Sequence, residues 1–501
     1  MRLGCFELVE PVIAASMALA RTAANGAASA ANGVASAANA VASAVATVAN
    51  AATASAANAG AATAAVDASV WFDRARSFLG LGVMVAIAWA LSSQRRHVRW
   101  RLVATGILLQ ILVGTFALSG AGQHVFGVFN EVVNGVIGYT GEGSRFLFGR
   151  LAEPGGGVSD SASSGAMGAP MAASIGAYFA FGVLPTIIFF SALMGVFYHL
   201  GVMQRIVHVL AIVMQKTLGT SGAETLSAAG NIFVGQTEAP LLVRPFIKDM
   251  TESEIMAVMT GGFATVAGGV MIAYVGMLRA MIPDIAGHLL SASVMSAPAS
   301  LVVAKIMMPE ADPTKCKTFG RVDLKVARPH ANLIDAAAHG ASDGLQLALN
   351  VGAMLLAFIS LVALANGVLG WASEMLAFAE PLTLEGMLGV ALSPLAWCMG
   401  VPWDDAVRVG SLLGVKTVLN EFVAYEMLSR QAASMVHERS SLIAAYALCG
   451  FANFGSIGIQ IGGLSPLAPE RRQDFARVGV RAMIGGTLAA FMTACVVGMM
   501  N

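Results

Sequence analysis

The chain has 501 residues, of which 57% are hydrophobic and only 12% charged, and its formal net charge is zero. A soluble globule normally carries about 25% charged residues. The composition therefore excludes a water-soluble protein and reads as an integral membrane protein, and the balanced charge gives no basic field for a nucleic-acid partner.

Residues 1–70 stand apart as an Ala/Ser/Asn-rich low-complexity tail. No charge occurs from Thr22 to Val66, and Asn25, Asn32 and Asn39, like Val34, Val41 and Val48, recur every seventh residue. A solvated tail and an associating alanine helix both fit this pattern.

Beyond the tail, apolar runs long enough to cross a bilayer are expected at Phe78–Ser93, Leu102–Leu118, Ile175–Phe197, Ile255–Val275, Ile285–Met307, Leu345–Leu369, Ser441–Leu464 and Val478–Met499; a helical crossing takes about 20 residues. Two further apolar stretches, Thr220–Phe246 and Leu384–Leu428, are broken by Gly, Pro and polar residues. They read as re-entrant hairpins, since irregular backbone survives at membrane depth only inside protein or around a wet cavity. The expected fold is all-α and polytopic, with eight transmembrane helices and two re-entrant hairpins in an inverted repeat. Its divisions are N-terminal scaffold helices over 71–200, a first transport repeat over 201–310, a connection and scaffold helix over 311–375, and a second transport repeat over 376–501.

Basic residues cluster in odd-numbered connections: Arg95, Arg96, Arg99 and Arg101 in the first, Lys305, Lys315, Lys317, Arg321, Lys325 and Arg328 in the fifth, Arg471, Arg472 and Arg477 in the seventh. The positive-inside rule then makes those connections cytoplasmic and both termini extracytoplasmic. An inner or plasma membrane location follows.

Each hairpin carries an acid in apolar surroundings, Glu238 within Gly235-Gln236-Thr237-Glu238-Ala239-Pro240 and Glu421 within Asn420-Glu421-Phe422. A membrane-embedded acid is a functional site by default. A glycine- or amide-rich interruption follows each, at 261–269 and 449–456. The order hairpin, interrupted helix, continuous helix thus occurs twice, which is how many transporters build a midplane site, and it predicts that Glu238 and Glu421 face each other. Five scattered cysteines include no CxxC pair, no HExxH is present, and no phosphate loop supports ATP-driven transport. No catalytic residue or cofactor is expected.

The runs 230–242 (GNIFVGQTEAPLL), 261–268 (GGFATVAG), 293–299 (SVMSAPA), 416–425 (KTVLNEFVAY) and 447–458 (ALCGFANFGSIG) closely resemble the concentrative nucleoside transporters. The resemblance runs from about residue 78 to the C-terminus. It implies a homotrimer that moves nucleosides of the uridine and adenosine class inward with a cation by alternating access. It further implies that Gly235, Gln236, Thr237, Glu238 and Val270 line the base side of the substrate, and that Glu421, Phe451, Asn453 and Ser456 hold the ribose. For sodium it implies Asn231, the Val234 carbonyl, Thr265 and the Val266 carbonyl. The chemistry of the residues agrees, since a neutral nucleoside calls for amides, hydroxyls and carboxylates rather than a cationic clamp. Proton coupling through Glu238 is the alternative within this class, and a nucleoside channel is the alternative outside it; a membrane enzyme lacks a nucleophile or metal cluster beside the two acids.

Overall fold

A computed structural model describes residues 71–152, 180–181, 184–282, 284–310, 316, 331–376 and 381–501. The expectations for the tail over 1–70 and for the basic cluster Lys315 to Arg328 lie outside these residues. Among the described residues the architecture is helical, with no β-strand.

Among the described residues helix α1 covers 71–90, α2 Trp100–Leu118 and α3 Gly120–Phe148. Only Ser119 separates α2 from α3: its extended backbone ends the first, and its hydroxyl accepts the Gly122 amide at 3.2 Å to start the second. The stretch between the expected crossings Leu102–Leu118 and Ile175–Phe197 is not all connection, since its first half is this 29-residue helix. The glycines, Asn130, Asn134, Glu131 and Glu142 interrupt every long apolar run there, so apolarity alone does not disclose it.

α4 spans Leu184–Leu200, and Gly201 in the left-handed region turns the chain by 75° into α5, Val202–Leu218. α5 was also missed. It buries Met203, Val207, Ala211, Met214 and Leu218 at three- and four-residue spacing and leaves the other face outward, the pattern of an amphipathic helix.

The first hairpin runs down α6, Gly222–Gly230, turns through residues 231–238 and returns by the short turns Ala239–Val243 and Arg244–Ile247. A helix broken at residues 265–267 follows, α7 (Glu252–Ala264) and α8 (Gly268–Leu278), and then the long α9 (Ile285–Met307). Reciprocal caps, Ser221 with Glu224 and Thr251 with Glu254, open α6 and α7 and satisfy amides that those buried helix starts would otherwise strand.

α10, Leu333–Met375, has 43 residues and would be about 65 Å long, twice the ~30 Å hydrocarbon layer. It packs along α4, and there Gly340 and Gly344 come so close that an added Cβ would lie 2.5 Å from Ser191 O and 2.7 Å from Ile188 Cα. The second repeat-like segment contains α11 (Leu384–Cys398) and α12 (Trp403–Val418), bent 117° from each other, then α13 (Glu421–Gln431). The expected hairpin over Leu384–Leu428 therefore holds three helices rather than two arms. Its acidic tip lies between α12 and α13. A second broken helix follows, α14 (Glu438–Leu448) and α15 (Phe454–Leu464), and α16 (Arg472–Met500) completes the order.

The core forms where α7, α9 and α16 pack on one another with α2 beside them. Here the two breaks meet. Gly450 has φ +111°, a conformation that suits glycine, and its missing Cβ would sit 2.5 Å from Phe263 O and 2.8 Å from Ala264 C at the end of α7. By length and apolarity five of the described helices can cross a membrane alone, or up to seven if each bent pair counts as one span.

The Gly450→Ala variant is expected to lose about 1–3 kcal/mol or more of stability from the forced contact and the positive φ. Gly458→Ala, with nothing within 4 Å of its Cβ, is the control. Equal thermal midpoints for the two purified proteins in detergent would show that the crossing tolerates a methyl group.

Candidate functional site

Two polar clusters lie within this apolar core, and α8 and α15 connect them. At the second tip Asn420 ends the extended turn, and its Oδ1 accepts the Val423 amide at 2.9 Å, which starts α13 at Glu421. Glu421 is thereby buried at a helix N-terminus, where the aligned peptide dipoles favour a negative charge. Its carboxylate accepts from Tyr274 Oη at 3.0 Å and Asn453 Nδ2 at 2.9 Å. Tyr274 is wedged between Phe422 and Tyr425, with ring centroids 5.2 and 4.3 Å away, so its hydroxyl is fixed. Asn453 is fixed as well, because its Oδ1 caps α15 through the Ser456 amide at 2.8 Å.

At the first tip Gln236 Oε1 accepts from Gln460 Nε2 at 3.1 Å, and the same nitrogen donates to Met259 O at 3.1 Å. Gln460 Oε1 is buried without a protein partner. Phe233 O accepts the Gly268 amide at 3.0 Å, which joins this tip to the first residue of α8.

These contacts fix the sense of the two helices. α8 starts at the first tip and reaches Glu421 of the second six residues later through Tyr274; α15 starts beside Glu421 through Asn453 and reaches Gln236 of the first through Gln460. They run in opposite directions between the tips. Asn453, Ser456 and Gln460 share one face of α15, at three- and four-residue spacing. All three are buried, and the stripe they form spans about 10 Å from one tip to the other.

The residues singled out in the sequence fall as follows. Glu421, Asn453 and Ser456 come together at the second tip, with Phe451 half-buried in the adjoining break. Gly235, Gln236, Thr237 and Glu238 form the first tip, and Val270 is buried in the first turn of α8 beside it. The two acids are not equivalent: Glu238 is exposed, and its carboxylate accepts from the adjacent Thr237 hydroxyl at 2.9 Å. No hydrogen bond among the described residues joins it to Glu421; the link through α15 runs from Glu421 to Gln236 and does not include Glu238.

Asn231 closes α6, and its Nδ2 turns back to Ser227 O at 3.0 Å while its Oδ1 stays buried and unpartnered. The amide is also close to Gly261 of α7, whose carbonyl accepts from Thr265 Oγ1 at 3.0 Å. Val234 and Val266 flank the same tip and break, with Val266 buried. This neutral oxygen set fits a small hard monovalent cation. Among the described residues no group of three or more His, Cys, Asp or Glu could hold a metal ion.

Sequence reasoning missed Gln460, Tyr274 and Lys416. Gln460 was visible as the third member of a helical stripe with Asn453 and Ser456. Tyr274 and Lys416 carried no local signal: the first is defined by a partner 147 positions away, and the second donates Nζ to Ala447 O at 2.9 Å and Cys449 O at 3.3 Å, the end of α14.

Comparison with known proteins gives matches over most of the chain. Models of the Na+ dependent nucleoside transporter N-terminus and C-terminus match residues 79–151 and 288–498, and a nucleoside recognition "Gate" model matches 180–281. An uncharacterized transporter of Haemophilus influenzae is 43% identical over 84% of this chain and 97% of its own length. Sodium/nucleoside cotransporter 1 of Rattus norvegicus is 39% identical over 85% of this chain and 63% of its own length. Solute carrier family 28 member 3 of Eptatretus stoutii is 42% identical, and the chain spans 60% of it. Among solved structures, CNTnw in an inward-facing substrate-bound state aligns with TM-score 0.74 at 42% identity, covering 85% of this chain and 97% of that one. A doubly substituted CNTnw in an outward-facing state aligns with TM-score 0.76.

Replacing Tyr274 by Phe removes one of the two side-chain donors to a buried carboxylate, a loss of about 1–3 kcal/mol. The thermal midpoint of the purified variant is expected to fall clearly. An unchanged midpoint would exclude the hydroxyl from the network that holds Glu421.

Proposed function

The chain belongs to the Na+-dependent nucleoside transporter family, and from that premise we propose that it is a sodium-coupled symporter that imports nucleosides by alternating access. The observation that carries the reading is the buried stripe Asn453, Ser456 and Gln460, which joins a carboxylate at one hairpin tip to an amide at the other inside an otherwise apolar core. A nucleoside is a flat base with donors and acceptors joined to a sugar with hydroxyls. Its length suits a stripe of about 10 Å.

In this reading Glu421 accepts from ribose hydroxyls, held in place by Tyr274 and Asn453, while Ser456 and Phe451 border the sugar. Gln236, Thr237 and Glu238 meet the base, with Gly235 and Val270 forming the wall. Gln460 Oε1, buried and unpartnered, offers the base an acceptor. Because leaving a buried polar atom unpaired is costly, ligands that satisfy these groups are selected over apolar ones of the same shape.

Sodium would be held by Asn231 and Thr265 with the carbonyls of Val234 and Val266, between the first tip and the first break. The unpartnered Asn231 Oδ1 supports this assignment. The ion would supply the driving force: one inward charge yields about 2.3 kcal/mol per 100 mV, and a tenfold gradient adds about 1.4 kcal/mol. Together these sustain roughly a few hundredfold accumulation. Coupling requires that the ion favour the nucleoside-competent tip, and reciprocity makes the nucleoside favour the ion in turn. The bond from the Gly268 amide to Phe233 O supplies a physical link, because an ion that orders residues 231–234 also positions α8, and with it Tyr274.

The architecture proposed is eight crossings with two re-entrant hairpins in inverted repeats, divided as read from the sequence, in a homotrimer in the plasma or inner membrane with both termini extracytoplasmic. The opposed senses of α8 and α15 support the inversion. Exposed apolar side chains along α10, among them Leu349, Leu356 and Trp371, support contact with lipid or a neighbouring protomer.

Uptake of radiolabelled uridine and adenosine into proteoliposomes is expected to require an inward sodium gradient and to collapse when choline replaces sodium at fixed pH. Uptake driven by a proton gradient alone would assign coupling to protons, and uptake indifferent to sodium, pH and potential would make the protein a channel. The Glu421→Gln variant should lower uptake about tenfold or more while the oligomer still forms, in line with ~1–3 kcal/mol for a buried acceptor. Wild-type uptake by that variant would remove Glu421 from the site.

A further inference from the structure

We propose that Gln460 is a positioning residue that sets the sense of the Gln236 amide, so that the first tip meets the nucleobase with one donor and one acceptor and refuses bases that carry no N–H. The inference rests on the nucleoside-transport reading and names the class of base that the same site selects.

A backbone carbonyl anchors the arrangement. Met259 O, in α7, can only accept, so the end of the Gln460 side chain that lies 3.1 Å from it is Nε2 and not Oε1. The other hydrogen of that nitrogen goes to Gln236, also at 3.1 Å, and a donor there requires Gln236 Oε1 in return. If either amide were turned over, like groups would face each other in a buried place, at the full cost of unpaired polar atoms. The sense of both side chains is thus dictated by a backbone group that cannot reverse. One group of each amide remains. Gln460 Oε1 is buried with no protein donor, and Gln236 Nε2 has no acceptor among the described residues.

Two glycines permit the approach. A Cβ on Gly262, in the last turn of α7, would lie 2.7 Å from Gln460 Nε2 and 2.9 Å from Gln236 Cβ, so the bare backbone there lets both amides settle on the helix. Further along α15, a Cβ on Gly463 would lie 2.6 Å from Thr237 Cγ2. α15 therefore rests on the tip at two positions three apart on one face, and this register brings Gln460 against Gln236. A ligand that completes the pair must donate to Gln460 Oε1 and accept from Gln236 Nε2. Adenine, guanine, cytosine and uracil each carry an N–H beside a ring-nitrogen or carbonyl acceptor. A purine without its 6-amino group carries acceptors only and would leave Gln460 Oε1 unpaired. A site built around a buried hydrogen bond rejects the analogue that lacks it far more strongly than a change of shape would.

The test compares adenosine with purine riboside, which differ only by the 6-amino group, using the full-length protein in proteoliposomes under one inward sodium gradient. Uptake rate at low nucleoside concentration is measured alongside the thermal stabilisation of the purified protein by each compound. The wild type is expected to favour adenosine about tenfold in uptake and to be stabilised more by it. Equal handling of the two by the wild type overturns the proposal without any variant. Gln460→Leu removes the acceptor and frees Gln236, and is expected to bring the ratio down to about one, chiefly by loss of adenosine uptake. A merely structural role would weaken both nucleosides alike, so a folded variant that keeps the wild-type ratio also overturns the proposal. Should the leucine variant not fold, Gln460→Asn draws the amide back by one methylene from Met259 O and Gln236; the same collapse of the ratio is expected, and a retained ratio is equally fatal. Absence of sodium-driven uptake for either compound would instead sink the sodium-coupled nucleoside reading, an outcome distinct from sodium-driven uptake that ignores the amino group.

Discussion

A helix interrupted inside an apolar interior strands amides on one side of the gap and carbonyls on the other, and in a bilayer core only the protein can satisfy them. This molecule interrupts two helices and brings the interruptions together at Gly450 and Phe263. Three groups of the candidate site answer that constraint. Asn453 opens α15, Phe233 O takes the first amide of α8, and Lys416 takes the carbonyls that α14 leaves. Asn453 also reaches Glu421 through Nδ2, so one residue both closes a gap and holds the buried carboxylate.

The opposed course of α8 and α15 follows from this. Each begins at the tip of its own hairpin and ends at the tip of the other, so the two tips cannot shift independently. Tyr274 and Gln460 are the far contacts, six residues into α8 and seven past Asn453. A displacement of one tip is therefore passed over about two helical turns to the other, through side chains fixed by aromatic packing or by a backbone carbonyl. Such a link is short and direct. Under the proposed function it would be the physical carrier of coupling between ion and substrate, without a long chain of small displacements.

Much of this was legible in the sequence where composition is a sufficient signal. Membrane class, the long α2, α9 and α16, both acids and both interruptions follow from apolar runs and from polar residues that break them. Elements with mixed composition were not legible. α3 contains Asn130, Glu131 and Asn134, and α5 alternates apolar and polar faces, so neither yields a long apolar window although both are helices. The third helix within the expected hairpin over Leu384–Leu428 was not legible for a related reason: α11 and α12 are both apolar and adjoin at Gly400-Val401-Pro402, which marks a turn but not which turn. Within the site, residues on one helix at helical spacing were recoverable from the pattern. Tyr274 and Lys416 were not, because their roles exist only once segments more than 30 or 140 positions apart are in contact.

The meshing of α4 with α10 has a mechanical consequence. Where Gly340 and Gly344 let backbone touch backbone, no layer of side chains remains to slide over, and a slip of even a fraction of a turn would drive Cα atoms into carbonyls. The pair must behave as one stiff rail. Any displacement that opens the substrate path first to one compartment and then to the other has to occur across softer seams, such as the one where Phe190 and Ser191 face the start of α8 at Gly268 and Gly269. There, interchangeable rotamers rather than interlocked backbone would set how far the cargo-bearing half travels.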